Sequence, residues 1–183
     1  MLKTRCLLPI LLLALPIVSQ ARDWTTDAAQ STLTFKGTYQ NEGFAGKFKK
    51  FDAAISYDEA DLSKSKFDVQ VDVASVDTAS SERDDSLKGE EFFDPKKFPK
   101  AHFVTESFAK GADGGVEAKG TLTIRDKTQP VTLKVKFAAN GDKATLDVDT
   151  VLKRADFGLG AGKDWNDIGA DVPVHGHLVL TGK

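Results

Sequence analysis

What most constrains this chain is a period of two in its apolar residues, repeated along nearly its whole length. The clearest run sets Phe67, Val69, Val71 and Val73 between Asp68, Gln70 and Asp72. Successive side chains of an extended segment point to opposite faces, so such a run puts one face in water and the other against a core. The same alternation recurs in Leu33 and Phe35, in Phe51, Ala53, Ile55 and Tyr57, and in Val116, Ala118, Gly120, Leu122 and Ile124. It returns in Val131, Leu133, Val135 and Phe137, in Leu146, Val148, Thr150 and Leu152, and in Val172, Val174, Leu178 and Leu180. With the segment Ala101 to Phe108 this makes about eight strands. Gly114-Gly115 and Asn140-Gly141-Asp142 read as hairpin tips, and Asp126-Lys127-Thr128 joins the strands beside it, so most neighbours are antiparallel. A sheet with one apolar and one charged face packs on a second sheet or closes on itself, and closure removes exposed edges. The fold class expected is all-β with a short helix, a single antiparallel barrel of about eight strands.

Two segments break the alternation. From Ser80 to Pro99, Ser80 or Ser81 is placed to cap a short helix running toward Leu87, with acids in its first turn, before Asp94-Pro95 and Phe98-Pro99 end it. The stretch from Asp156 to Gly169 is glycine-rich and carries Phe157 and Trp165.

Residues 1–21 read as a cleaved export signal. Lys3 and Arg5 precede an apolar run from Leu7 to Val18, too short to span a bilayer, and Ser19 and Ala21 are the small residues of a cleavage site. Cys6, the one cysteine, lies before the apolar core without the small residues of a lipid-modified cysteine. Residues 22–183 then form one domain with no thiol, which removes disulfides, cysteine nucleophiles and thiolate metal sites. About 160 residues bury enough surface to fold without a staple. Losing Lys3 and Arg5 leaves 23 of the 25 basic residues against 27 acidic ones. That mildly acidic balance argues against nucleic acid or an anionic membrane as partner, both of which need clustered Lys and Arg. No second apolar stretch follows, so the expected product is not membrane-spanning and localises to the bacterial periplasm.

Candidate chemistry is sparse. His175 and His177 share a strand face with Asp171 nearby, yet the valines and leucines of that strand hold the even-numbered positions, so both imidazoles should point outward and supply only two ligands. His102 stands alone and is expected to bond locally. Paired carboxylates could serve a hydrolase, but Asp68, Asp72, Asp147 and Asp149 alternate with core positions, and a solvated outer face explains them more simply. No nucleophile motif accompanies them, and no catalytic residue is assigned. The aromatic supply is more informative: Phe35, Phe44, Phe48, Phe67, Phe92, Phe93, Phe103, Phe137 and Phe157 could either fill a lumen or line a cavity. Arg83, Asp84 and Arg125 could position a polar head group or form structural ion pairs.

Several motifs carry a resemblance. Arg83-Asp84, Leu87, Phe92-Phe93-Asp94, Lys97-Phe98-Pro99 and Phe103, followed by Gly120-Thr-Leu-Thr-Ile-Arg125, Thr128 and Pro130-Val131, resemble the two signatures of the YceI-like family. Ser75-Val-Asp-Thr78, Gly46-x-Phe48 and Arg154-x-Asp156-Phe157-Gly158 extend the likeness over nearly all of residues 22–183. It implies an extended lipocalin-like barrel enclosing an elongated apolar cavity, with no catalytic residue; the outward phase of His175 and His177 and the absence of cysteine after Cys6 add the expectation of no metal, and no other cofactor is expected. The implied ligand is a long apolar lipid of isoprenoid, quinone or fatty-amide type. The apolar lining expected is Phe35, Phe44, Phe48, Phe67, Val69, Val71, Leu87, Phe92, Phe93, Phe103, Leu122, Leu133, Val135, Leu146, Phe157 and Trp165, with Arg83, Asp84 and Tyr39 toward a head group. Gln30, Tyr39 and Ser86 stand where many members carry histidine, and Gly160-x-Gly162-x-x-Trp165 resembles a subgroup with a shortened loop. The alternatives are a solid-core accessory protein of a membrane partner such as a respiratory cytochrome, and a carboxylate hydrolase. A homodimer is a further partner state left open.

Overall fold

The computed structural model describes residues 21–112 and 114–183, so the export signal read over residues 1–21 lies outside the described residues apart from Ala21. The strands run in chain order as β1 (Arg22–Thr26), β2 (Thr32–Tyr39), β3 (Glu42–Phe48), β4 (Phe51–Tyr57), β5 (Lys66–Asp72) and β6 (Val76–Asp77). After the helix α1 (Ser81–Leu87) come β7 (Lys100–Lys110), β8 (Val116–Ile124), β9 (Lys127–Asn140), β10 (Lys143–Lys153) and β11 (Asp171–Gly182). Every pairing among them is antiparallel.

Eight strands close a ring in the order β1, β4, β5, β7, β8, β9, β10, β11 and back to β1. The expected barrel is therefore present, but one of its members differs. The Leu33–Phe35 strand, β2, leads outward from β11 to β3 and β6, and the ring is completed by β1, which the sequence reading passed over. Five residues with Trp24 as the one buried side chain show too little alternation to be seen.

How β1 and β2 share β11 sets the shape. Along one edge of β11, Leu180 to Gly182 pair with Trp24 to Thr26, and Val174 to His177 pair with Thr32 to Phe35. Between them the chain leaves the sheet over Asp27 to Ser31. The Asp27 carboxylate accepts from the Ala29 and Gln30 backbone N–H groups and from the Gln30 amide, which folds this stretch into a tight loop. The β11 backbone it abandons is satisfied in two ways: Asp27 N–H donates to the Val179 carbonyl at 2.8 Å, and the buried Ser31 hydroxyl accepts from Val179 N–H at 3.0 Å.

The interior falls into two clusters. At the end closed by β1, Trp24, Ile55, Tyr57, Phe67, Ala118, Val135, Ala144, Leu146, Leu178 and Leu180 form a filled plug. Its aromatic rings interlock, with Tyr57 4.4 Å from Phe137 and Phe67 at 4.9 Å edge-to-face with Phe108, spacings at which ring quadrupoles attract. Burial pushes the Tyr57 hydroxyl above its ordinary value, with Glu59 adding to the effect. The other cluster, around Phe35, Val73, Val76, Phe92, Phe93, Phe103 and Phe157, belongs to the end where β2, β3, β6 and α1 stand. The helix follows the expected cap: Ser80 is its N-cap and its side chain accepts from Arg83 N–H, with Glu82 and Asp84 in the first turn.

The handover at β11 depends on one hydroxyl. Ser31→Ala should leave the partly buried Val179 N–H unpaired and destabilise the protein by about 1 kcal/mol. Urea unfolding should show this loss, and a change within a few tenths of a kcal/mol would contradict the assigned role.

Candidate functional site

The second cluster surrounds a cavity of about 580 Å³, within the usual range for small-molecule sites. Its floor is the upper surface of the plug, since Ile55, Phe67, Leu146 and Leu178 belong to both. Its wall includes the inward face of β5, with Phe67, Val69 and Val71, whose partners Asp68 and Gln70 point outward as the alternation required.

Two phenylalanines enter the cavity by lying over glycines. Phe35 of β2 stands opposite Gly46 of β3, and Phe44 of β3 stands opposite Gly37 of β2. A Cβ on either glycine would run into the facing ring, so only glycine lets the rings lie flat on the sheet. Phe48 then sits 5.5 Å from Phe35 and 5.7 Å from Phe93, which links the sheet to the segment after α1.

The cap over this end is held by Arg154, on the 3-10 turn Arg154–Phe157. Its Nε donates to the Gly169 carbonyl, one terminal nitrogen to those of Leu159 and Gly160, and the other to those of Trp165 and Ile168. All five guanidinium donors are thus spent on backbone carbonyls, folding the glycine-rich stretch around one side chain. This brings Phe157, Leu159, Trp165 and Ile168 onto the cavity. The stretch is tied to the segment after α1 by Trp165, whose indole N–H donates to Glu91 at 2.6 Å and whose ring meets Phe92 edge-on at 4.9 Å.

At the mouth stand Tyr39, Glu82, Arg83 and Ser86. The Arg83 guanidinium lies 4.3 Å over the Phe44 ring and makes one long bond, at 3.4 Å, to the Thr78 carbonyl. It has donors left to offer, whereas Arg154, the other cation on the lining, has none.

Of the expected lining, fifteen residues border this cavity: Phe35, Phe44, Phe48, Phe67, Val69, Val71, Leu87, Phe92, Phe93, Phe103, Leu122, Leu133, Leu146, Phe157 and Trp165. Val135 does not; it is buried in the plug. Alternation placed it on the inner face but carries no information on height along the barrel axis. Asp84 does not border the cavity either; its Oδ1 accepts from the Thr78 backbone N–H and hydroxyl at 2.8 and 2.7 Å. Tyr39 and Ser86, at two positions where histidine was expected from the resemblance, lie at the mouth, while Gln30 is spent on Asp27. Residues passed over include Val131, Leu152 and Val174, whose strand phase marked them as inward, and Arg154, Leu159 and Ile168, which carry no periodic signal.

The histidines face outward. His175 and His177 bond across to Asp149 and Asp147 of β10 at 2.8 and 2.6 Å, and His102 bonds Asp68 of β5 at 2.8 Å. Arg125 has its Nε buried without a hydrogen-bond partner and its guanidinium 5.6 Å from the Phe98 ring.

The sequence profile of the YceI-like domain matches residues 24–180. The chain belongs to the YceI-like family. A UPF0312 protein of Vibrio cholerae is 30% identical to this YceI-like chain over 156 residues, covering 80% of it and 82% of the relative. The crystal structure of Burkholderia cenocepacia BcnA superposes with a TM-score of 0.80 at 32% identity, over 85% of this chain and 99% of that one. A domain from Saccharophagus degradans, described as polyisoprenoid binding, shares the fold with a TM-score of 0.65 at 18% identity, over 87% and 98% of the two chains. The YceI-like motifs coincide with the parts that build the cavity end: Gly46-x-Phe48 seats the Phe35 ring, and Arg154-x-Asp156-Phe157 supplies the cap's anchor and a wall residue.

Arg154 is where that cap should fail. Arg154→Lys keeps the charge but offers three donors to five carbonyls in another geometry. It should destabilise the protein by about 3 kcal/mol and raise hydrogen exchange selectively over residues 158–169. Exchange spread evenly over the barrel would argue against this role.

Proposed function

We propose that this chain binds a long apolar lipid of isoprenoid, quinone or fatty-amide type and sequesters or carries it through an exported aqueous compartment, the bacterial periplasm. The observation that carries the reading is the pairing of an apolar cavity, closed at its floor by the plug, with a mouth where Arg83 keeps unspent donors. The apolar tail would lie against the β5 face and the phenylalanines. A carbonyl or hydroxyl at its head would meet Arg83, with Tyr39 and Ser86 beside it. Each methylene taken from water is worth about 0.8 kcal/mol, so about ten of them contribute about 8 kcal/mol before the cost of association. The polyisoprenoid description of the Saccharophagus domain supports the same ligand class, and the signal read over residues 1–21 supports the compartment.

A binding protein rather than an enzyme is supported by where the reactive groups stand. The His–Asp pairs occupy the outer wall, and Glu82 is the one carboxylate on the described cavity lining, which leaves a two-carboxylate hydrolase without its second group. The accessory-protein alternative required a filled lumen, and the lumen is filled in its plug half only.

Mass spectrometry of an organic extract of protein purified from a bacterial periplasm should find one lipid class in near-stoichiometric amount. Retinol, a fluorescent isoprenoid alcohol, should also bind the delipidated protein with one-to-one saturation. Absence of both would refute the lipid-binding reading.

Val71→Glu places a carboxylate on the cavity wall, where an apolar tail cannot hydrate it. Water can enter the emptied cavity, so the variant should keep strand-rich circular dichroism yet carry no lipid and lose retinol affinity by at least tenfold. Gln70→Ala, one residue along on the exposed face, should retain both. Full lipid content in folded Val71→Glu would show that this face is not the binding wall.

A further inference from the structure

The ring of strands is not closed to the same degree along its height. β9 and β10 pair from Asn140↔Lys143 to Lys134↔Asp149, and there the ladder stops. Both strands continue beyond that point. β9 stays paired with β8 back to Lys127, and β10 stays paired with β11 out to Lys153. The two therefore separate from each other without leaving the sheet. Pro130, which has no N–H to give to a ladder, stands in the unpaired length of β9. Side chains replace the missing rungs: the Thr150 hydroxyl donates to the Thr132 carbonyl at 3.0 Å, and the Gln129 amide donates to the Asp156 carbonyl at 3.0 Å.

A surface groove follows this separation. Some of its residues belong to the outer face, among them Thr132 and Val151, the latter 58% exposed. Others, including Val131, Leu152 and Phe157, also line the central cavity. Val131 and Leu152 stand on the two strands beyond the last rung at Lys134↔Asp149, and Phe157 stands on the turn after β10, so inner-face residues border the groove where the ladder is missing. Phe157 is 2% exposed and Val131 9%, so side chains shut the slit where the backbone does not.

We propose that the slit between β9 and β10 is a side gate to the cavity, through which the apolar ligand enters and leaves broadside. Val131, Leu152 and Phe157 are its closing side chains, and the Gln129 and Thr150 bonds are its latch. The inference rests on the lipid-binding reading above. It follows from the relative strength of two boundaries of the cavity, the cap and the slit. The cap is held by five charge-assisted bonds from Arg154, and the slit by two bonds between neutral groups, roughly half as strong each. A slit along the barrel also admits an extended chain at once, without threading it end-first past Arg83.

The test uses the absence of cysteine after Cys6. Thr132→Cys and Val151→Cys together place thiols on the two outer lips, neither of them on the cavity lining. Retinol uptake and release are followed by stopped-flow fluorescence before bridging with a reductant-cleavable bis-methanethiosulfonate, after bridging, and after reduction. Bridging should slow both rates at least tenfold, leave the dissociation constant unchanged, and be reversed by reduction, whereas capping each thiol singly should not slow exchange. Gln129→Ala, which cuts the latch, should speed both rates several-fold at equal affinity. Unchanged rates in the bridged protein, or in Gln129→Ala, would overturn the gate while leaving the binding reading intact. Failure of retinol to bind the unbridged protein would overturn both.

Discussion

An eight-stranded ring is about wide enough either to be filled by its own side chains or to hold one small ligand, and in this chain the handover along β11 separates a filled end from a hollow one. While β1 pairs with Leu180 to Gly182 the ring is eight strands around and its interior is packed solid. Beyond Val179 the same edge is taken by β2, which brings β3 and β6 with it, and residues of α1 join the lining of the cavity that opens there. One buried serine hydroxyl and one backbone N–H, from Ser31 and Asp27, satisfy the residue at the junction. Cavity and plug are thus two results of one strand being broken and displaced.

The plug gives the widened end its freedom. Trp24, Tyr57, Phe67, Phe108 and Phe137 interlock at the narrow end, so cohesion there does not depend on what fills the rest of the lumen. The cavity end is lined by side chains fixed to the wall by other means. Phe35 and Phe44 lie on facing glycines, and Phe92 is held by Trp165. Such a surface is apolar and shaped without being closed over itself. A ligand completes it by supplying the dispersion contacts that facing side chains would have made.

Most of the barrel was legible because its signal is local. Alternation along Phe67 to Val73 or Leu146 to Leu152 reports which residues face inward, and Ser80 with its following acids reports a helix start. What alternation cannot report is position along the axis, which is why Val135 was grouped with the cavity and belongs to the plug. β3 was missed because Gly43, Gly46 and the short span between turns dilute its pattern, and β6 has two residues only. Asp84 looked like a head-group ligand because a carboxylate beside Arg83 suits one, but its partner Thr78 is six residues back and is brought to it by a turn. Arg154 stood in a family motif but nothing in the sequence told its role, since its partners are backbone carbonyls and any sequence supplies those.

A chain with no thiol after Cys6 must grade its own stiffness with hydrogen bonds. The strongest set is spent where the backbone is least regular: the glycine-rich stretch from 158 to 169 has few ladder partners, and a single guanidinium gathers its carbonyls. The weakest lies where the backbone is regular but parted, between two long strands that each remain fully paired on the other side. That combination reverses the usual expectation that loops move and strands hold. Opening the cap means losing five charge-assisted bonds, whereas opening the slit loses two bonds between neutral groups. Motion in this molecule should therefore concentrate in the barrel wall beside Phe157 and not in the loops over its end.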